Sequence, residues 1–159
     1  MGSTKAAKSS VTVPTILDAL TIANRVAERF PDASVGGDVS WKTLISQPGT
    51  STDTFTVGIA SCRPQGRGEG GVGLKMHRHT HAEVYYVVAG RGVVTVEGEE
   101  YEVQEGGVVF IPGDAEHGMR CVGSEEVKWL YIFAADGFEK VEYRFGGSNL
   151  AETGVKAKL

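Results

Sequence analysis

The side chains best suited to chemistry are histidines, and all 4 of them lie between positions 77 and 117. His77 and His79 are separated by one residue, Glu83 follows, and His117 lies downstream. Because side chains alternate between the faces of an extended strand, His77 and His79 point to the same side. If that side is the interior of a barrel, their imidazoles converge with the Glu83 carboxylate. Three histidine nitrogens and a carboxylate oxygen suit a divalent transition metal and leave coordination positions open for substrate.

The same alternation predicts which other side chains surround these donors. With Glu83 facing inward, Tyr85 faces inward as well, whereas Val84 and Tyr86 face outward. Tyr85 therefore lies one strand step from a candidate metal ligand. We expect His81 to lie exposed in the turn before Glu83 rather than to act as a further ligand.

The strand that carries His117 supplies a second group of inward side chains. Met119 and Cys121 share a strand face with His117, because each is an even number of residues away. They would give the cavity an apolar wall that carries sulfur atoms. We therefore take Met119 and Cys121 as candidate substrate-binding residues.

The elements that must position these residues begin with a helix. Between residues 15 and 30, apolar residues recur at spacings of four, three, four and three, which forms one apolar stripe on a helix. Thr15 with Asp18 resembles a capping box, and Pro31 would end the helix. Its expected role is to pack against the barrel or against a second subunit.

From residue 40 onward, short runs of β-forming residues alternate with glycine-rich turns, which indicates a barrel or sandwich. The predicted strands are residues 41–46, 54–62, 74–77, 83–89, 92–97, 101–103, 108–111, 118–122, 127–134 and 138–145. Gly90-Arg91 and Gly98-Glu99 are predicted to be hairpin turns. The glycine-rich stretch 66–73 lacks the Lys-Ser/Thr ending of a phosphate-binding loop. We interpret it as a flexible loop at the mouth of the barrel.

Length and composition indicate one globular domain. The 159 residues include 23% charged and 41% hydrophobic residues, which is ordinary for a soluble protein with a full core. The predicted parts are a disordered lead, an N-terminal helical segment, a barrel and a C-terminal tail: residues 1–11, 12–38, 39–146 and 147–159.

Charge and targeting signals narrow the partners and the compartment. The net charge of -4 and the lack of a basic run argue against nucleic acid as a partner. No apolar run is long enough to span a membrane, and the N-terminus lacks the apolar core of a signal peptide. The 2 cysteines do not form a disulfide framework. We expect a cytoplasmic protein, or a peroxisomal one in a eukaryote, because Ala157-Lys158-Leu159 is a variant of the Ser-Lys-Leu address.

Two linked patterns carry a family resemblance. Residues 71–90 read G-x5-H-x-H-x3-E-x6-G, and residues 106–117 read G-x5-P with a histidine five positions after the proline. Together they resemble the two signature motifs of the cupin superfamily. The resemblance implies an all-β, single-domain cupin (a jelly-roll type β-barrel) with an N-terminal α-helix. It also implies one bound divalent transition metal, either iron, manganese, nickel, cobalt or zinc, with these ligands: His77, His79, Glu83 and His117.

A narrower resemblance runs from about residue 39 to residue 145. Residues 41–45 and 131–143, together with the ligand set, are similar to the small single-domain cupin lyases that cleave dimethylsulfoniopropionate. In that family a tyrosine two residues after the glutamate ligand and a second near the C-terminus flank the metal. Tyr85 and Tyr143 occupy those positions. The chain departs from the usual cupin pattern at Cys121, where an asparagine is common.

The resemblance implies a metal-dependent carbon–sulfur lyase that acts on a small carboxylate. Tyr85, or else Tyr143, would remove the α-proton in a β-elimination that yields acrylate and dimethyl sulfide. Trp41 and Trp129 are candidates to bind the sulfonium group through cation–π contacts. The family and the exposed strand edges also predict a homodimer.

Three alternatives remain open at the level of sequence, because this fold hosts many chemistries. The first is an isomerase or cyclase that acts on a carbonyl compound or sugar. The second is an iron dioxygenase, which differs from a lyase in requiring O2 and a redox-active metal. The third is a non-catalytic binding module, which would need neither an open coordination position nor an inward tyrosine.

Overall fold

A computed structural model describes residues 14–64, 73–146 and 153–156. The predicted disordered lead over residues 1–11 and the tripeptide Ala157-Lys158-Leu159 lie outside these ranges. So do the glycine-rich stretch, apart from Gly73, and the C-terminal tail, apart from residues 153–156. Within the described ranges, no helix has the length and apolar character needed to cross a membrane.

Strands dominate the described chain and form two antiparallel sheets of six strands each. The strands are β1 (Glu28–Arg29), β2 (Val39–Ile45), β3 (Thr56–Cys62), β4 (Leu74–Arg78), β5 (Glu83–Ala89), β6 (Arg91–Val96), β7 (Glu99–Gln104), β8 (Val108–Ile111), β9 (His117–Cys121), β10 (Val127–Phe133), β11 (Glu142–Phe145) and β12 (Thr153–Lys156). The first sheet has the order β1-β2-β3-β10-β5-β8, and the second has the order β12-β11-β4-β9-β6-β7.

The two sheets face each other as in a jelly roll, which confirms the predicted all-β fold. Among the described residues no hydrogen-bonded ladder joins them, so the barrel consists of two packed sheets rather than one closed ring. Side-chain alternation separates the core from solvent, as on β5, where Tyr85 and Val87 are buried and Tyr86 and Val88 are exposed.

The N-terminal helix is shorter than the predicted span of residues 15–30. Helix α1 (Ala19–Asn24) begins after Asp18, whose carboxylate accepts a hydrogen bond from the backbone N–H of Thr21 at 2.7 Å. The chain then extends as β1 and pairs with β2, and Phe30 enters the core. Strand pairing and burial of Phe30 therefore outweigh the helical spacing of the apolar residues.

Two predicted turns and one predicted strand also differ. At Gly90 the chain passes from β5 in the first sheet to β6 in the second, so Gly90-Arg91 is a crossover and not a hairpin turn. The β6–β7 hairpin turns at Glu97 and Gly98, whose φ angles of 48° and 86° are those of a type I′ turn. The predicted strand 138–145 begins as the 3-10 helix η1 (Phe138–Lys140).

Candidate metal centre

The structure brings the four predicted donors together inside the barrel. His77 on β4 and His117 on β9 are direct partners across one strand ladder. Glu83 is the first residue of β5, and His79 follows the end of β4. All four side chains are buried, with exposed fractions between 0% and 3%. The donors therefore come from two facing sheets and meet in the interior.

The candidate ligand atoms are close enough to share one ion. One ligand atom from each of His77, His79 and His117 lies within 4.8 Å of the others. The Oε2 atom of Glu83 is 3.2 Å from His117 Nε2 and 3.3 Å from His79 Nε2. Atoms that bind one transition metal at about 2.0–2.2 Å are about 3 Å or more apart, so this spacing suits a single ion.

Backbone carbonyl groups fix the orientation of all three imidazoles. Each Nδ1 atom lies 2.8 Å from a carbonyl oxygen, in the pairs His77 with Lys75, His79 with His81, and His117 with Ala115. Because a carbonyl oxygen only accepts, each Nδ1 carries the hydrogen and donates it. In the neutral tautomer that this bond selects, Nε2 keeps the lone pair that a metal-binding histidine requires.

Two of the three Nε2 atoms lack partners among the described residues. The Nε2 atoms of His77 and His79 are buried and make no hydrogen bond to any residue within the described ranges. The Glu83 carboxylate faces the same space, close to His79 and His117. A cation between these atoms would give each of them a partner. The arrangement therefore fits a divalent metal ion.

The electrostatics keep the donors in their metal-binding forms. Burial, and then the neighbouring imidazoles of His117 and His79, hold the pKa of His77 well below 6.5, so this imidazole is neutral at pH 7. Burial alone would raise the pKa of Glu83, but the same two imidazoles outweigh burial and lower the pKa, so the group is anionic. Neutral imidazoles and a carboxylate are the species that bind such metals.

The two predicted catalytic tyrosines flank the donors. Burial, and then the charge of Glu83, raises the pKa values of Tyr85 and Tyr143 well above 10. The hydroxyl group of Tyr85 is buried and has no hydrogen-bond partner among the described residues. The Tyr143 ring stacks on His77, with ring centroids 4.8 Å apart and planes inclined by 28°. Both phenols are therefore protonated at neutral pH in the protein alone.

A cavity of about 20 Å³ adjoins the donors and has mainly aromatic walls. Glu83 lines this cavity together with four other predicted site residues: Tyr85, Tyr143, Trp41 and Trp129. The indole N–H of Trp41 donates to Glu28 at 3.1 Å, which holds the ring in place. The structure thus groups the predicted aromatic residues around one small space.

Met119 and Cys121 lie elsewhere in the interior. Both are buried, but neither lines this cavity. Cys121 is at the far end of β9 from His117, and its thiol donates to the carbonyl oxygen of Glu125 at 3.0 Å. In the conformation described, the structure therefore does not bring the two sulfur-bearing side chains to this cavity, and their role in substrate binding stays a prediction.

Sequence reasoning missed four aromatic residues at the site, among them Tyr131, which lines the cavity. Phe133 packs edge-on against His79, with centroids 4.9 Å apart, and Phe30 and Phe138 line the cavity. Phe133 shares a face of β10 with Trp129, so strand alternation would have been a sufficient signal for it. Phe30 gave no such signal because its spacing indicated a helix. His81, which we expected to be exposed, is half-buried and lies outside the donor group.

Comparison with known proteins agrees with this geometry. A sequence profile described as "Cupin domain" matches residues 67–133. The chain is 40% identical over 112 residues to the dimethylsulfoniopropionate lyase DddW of Ruegeria pomeroyi, a match that covers 70% of this chain and 69% of that protein. The chain belongs to the cupin family.

This cupin is similar to proteins of polyketide biosynthesis as well. It is 31% identical over 107 residues to the polyketide synthase CurC of Streptomyces cyaneus, covering 67% of this chain and 64% of CurC. The solved structure of the polyketide cyclase RemF from Streptomyces resistomycificus superimposes with a TM-score of 0.61 at 21% identity, covering 74% of this cupin and 79% of that chain. The likeness to RemF supports the fold alone, and the two sequence relatives support an enzyme.

Proposed function

We propose that this cupin is a metal-dependent lyase that cleaves dimethylsulfoniopropionate into acrylate and dimethyl sulfide. The observation that carries the proposal is the 40% identity to the lyase DddW over 70% of this chain. The donor cluster supports it, because three buried imidazoles and a carboxylate lie beside a cavity that two tyrosines line.

The donors and the tyrosines have separate roles in this proposal. His77, His79, Glu83 and His117 would hold one divalent transition metal (iron, manganese, nickel, cobalt or zinc), which supplies Lewis-acid chemistry toward a carboxylate. Tyr85 would remove the α-proton of the substrate as its phenolate, the form that a divalent cation bound at the donors would favour. Its high pKa makes the phenolate a strong base, and its lack of a hydrogen-bond partner leaves the oxygen free to take a proton. Tyr143, which stacks on His77, is the second candidate base.

Proton removal and loss of sulfur are two halves of one elimination. The electron pair of the broken C–H bond forms the new double bond, and the C–S bond breaks with its electrons on sulfur. Dimethyl sulfide leaves as a neutral molecule, so no acid is needed to protonate it. The rings of Trp41, Trp129 and Tyr143 would stabilise the sulfonium group of the bound substrate, by about 0.5–2 kcal/mol for each cation–π contact.

The test is to incubate metal-loaded protein with dimethylsulfoniopropionate under argon and to measure dimethyl sulfide in the headspace. We expect release with zinc as well as with redox-active metals, since the elimination consumes no O2. A parallel reaction in air separates a lyase from an iron dioxygenase. Absence of dimethyl sulfide under every metal would refute the proposal.

The similarity to CurC favours an isomerase or cyclase as the second candidate. Such an enzyme would use the same base and donors to move a proton without releasing a fragment. Mass spectrometry distinguishes the two reactions, because an isomerase or cyclase product retains the carbon skeleton of its substrate, whereas the lyase divides it.

We also propose that the protein forms a homodimer through the outer face of the first sheet. Tyr86 and Val88 on β5 lie beside Val108 and Phe110 on the edge strand β8, and their exposed fractions range from 40% to 67%. A two-fold axis places such a face against itself, and an uncharged face meets its copy without repulsion. Phe110→Glu would bring two carboxylates together, so we expect a dimer by light scattering to become a monomer. A wild-type monomer would contradict this.

A further inference from the structure

The cavity beside the donors is too small for a substrate in the conformation described. Its volume of about 20 Å³ is enough for one water molecule, whereas sites for small organic ligands are commonly about 300–1,000 Å³. Some part of the wall must therefore move before a small organic acid reaches the donors.

One lining residue differs from the others in its structural support. Phe30 comes from the segment that precedes β2, whereas the other lining residues lie in strands of the two sheets or in η1. The η1 residue, Phe138, is fixed from both sides, since its backbone N–H donates to Ser46 at 2.9 Å and its ring stacks on Tyr131. Phe30 is thus the lining residue that can move without separating paired strands.

The Phe30 ring is also the partition between two spaces. On its outer side lies a second cavity of about 90 Å³, formed by residues 30–36. Phe30 is the residue that both cavities share. On its inner side the ring packs on Trp41 at 4.8 Å and on Tyr143 at 5.4 Å. Removing this ring would join the interior cavity to the outer one.

Few polar contacts hold the segment 30–36 that carries Phe30. Strand β1, which precedes it, is held more firmly, because it pairs with β2 and Glu28 accepts hydrogen bonds from the Trp41 indole and the Thr43 backbone N–H. Beside the segment, an exposed ion pair joins Arg29 to Asp38 at 3.0 Å. Lys75 donates to the carbonyl oxygen of Ser34 at 2.5 Å, again in an exposed position. Exposed ion pairs and short strands contribute little to stability, so such segments open more readily than the core.

We propose that Phe30 is the movable wall of the substrate cavity and that the size of this side chain limits the size of the substrate. The organic acid enters when the Phe30 ring leaves its place between Trp41 and Tyr143, together with the segment 30–36. The identity of the substrate rests on the proposed function, but the route of entry does not.

Fluorescence quenching tests the route without any turnover. The chain has 2 tryptophans, and both Trp41 and Trp129 are buried and line the cavity, so quenching by acrylamide reports access to it. We expect Phe30→Ala to raise the quenching constant several-fold. The matched control is Val35→Ala, which shortens an apolar side chain that packs beside Phe30 but does not line the inner cavity, and its quenching should equal that of the wild type. Equal quenching in Phe30→Ala and wild type would overturn the proposal.

Stability is checked in parallel by thermal unfolding. If Phe30→Ala lacks a cooperative transition, Phe30→Leu replaces it, since leucine keeps apolar packing but is shorter than phenylalanine. We expect a smaller but definite rise in quenching for Phe30→Leu, and an unchanged constant would again overturn the proposal.

Substrate size gives the second readout. With 3-(diethylsulfonio)propionate, a bulkier sulfonium acid, Phe30→Ala should lower KM relative to wild type. An unchanged preference would refute the role in specificity. If no variant releases a sulfide while quenching still rises in Phe30→Ala, the proposed lyase function fails and the entry route stands.

Discussion

The cavity has two walls that are built in opposite ways. The donor wall lies on β4, β5 and β9, each of which is paired with a strand on both sides, and backbone carbonyl groups hold every imidazole at 2.8 Å. The other wall is the Phe30 ring, which lies between the short strand β1 and a segment with exposed polar contacts.

This difference follows from what each wall must do. Metal ligands must be placed within a fraction of an ångström, which requires elements that resist displacement. A point of entry requires an element whose opening costs little compared with global unfolding. The chain meets both needs by mounting donors on central strands and the covering ring on a short N-terminal segment.

Loss of one donor is the strongest test of the fixed wall. We expect His77→Ala to lose stoichiometric metal and all detectable activity. Removing a hydrogen-bond partner of a ligand lowers metal affinity by about 10–100-fold, and removing the ligand itself should lower it further. Metal content by mass spectrometry measures this. His81→Ala is the matched control, since His81 lies outside the donor group, and it should bind metal normally. Full metal occupancy in His77→Ala would show that the donors do not share an ion.

Removing the proposed base should have the next largest effect. Tyr85→Phe deletes one buried hydroxyl that has no hydrogen-bond partner among the described residues, so metal content and stability should hold. We expect kcat to fall by about 10²–10⁴-fold, the usual contribution of a general base. Tyr86→Phe, on the outward face of the same strand, should react at the wild-type rate. Normal turnover by Tyr85→Phe would transfer the role to Tyr143.

A methyl group at Gly36 should disturb the movable wall alone. Helix α2 (Ala33–Gly36) packs on Phe30 so closely that a Cβ atom at Gly36 would lie 2.2 Å from the Phe30 ring. We expect Gly36→Ala to displace the ring, to lower the free energy of unfolding by about 1–3 kcal/mol, and to raise acrylamide quenching while metal binding persists. In Gly123→Ala the nearest atom would be 3.7 Å away, so this control should match the wild type in all three measurements.

The same contrast explains which features could be predicted from sequence. Three of the donors lie on strands and His79 directly follows one. Side-chain parity is a local property of such extended segments, so residue spacing alone placed His77 and His79 on one side and Tyr85 beside Glu83. Over residues 39–133, each predicted strand begins and ends within two residues of the observed strand, because strand alternation is also a local pattern.

The features that were missed depend on contacts between distant parts of the chain. Phe30 fits a helical stripe, but its ring belongs to a cluster with Trp41, Tyr143 and Phe145, and that packing extends the chain where local spacing predicts a helix. Gly90 has the composition of a hairpin turn, yet the strands on either side belong to different sheets. Local sequence patterns do not determine which distant strand or side chain a segment packs against.

Acid should weaken the fixed wall when no metal is bound. The pKa of His77 is well below 6.5 in the folded protein, so the unfolded chain binds this proton more tightly and the free energy of unfolding falls as the pH drops below about 6.5. The lowered pKa of Glu83 acts in the same direction below about 4.5, where the unfolded carboxylate takes up its proton first. Each proton contributes at most about 1.4 kcal/mol per pH unit.

Denaturant unfolding of metal-free protein between about pH 7 and about pH 5 measures the His77 contribution. His77→Gln, which does not titrate, should show a flatter dependence, and equal slopes in the two proteins would mean that the imidazole is not held neutral by its burial.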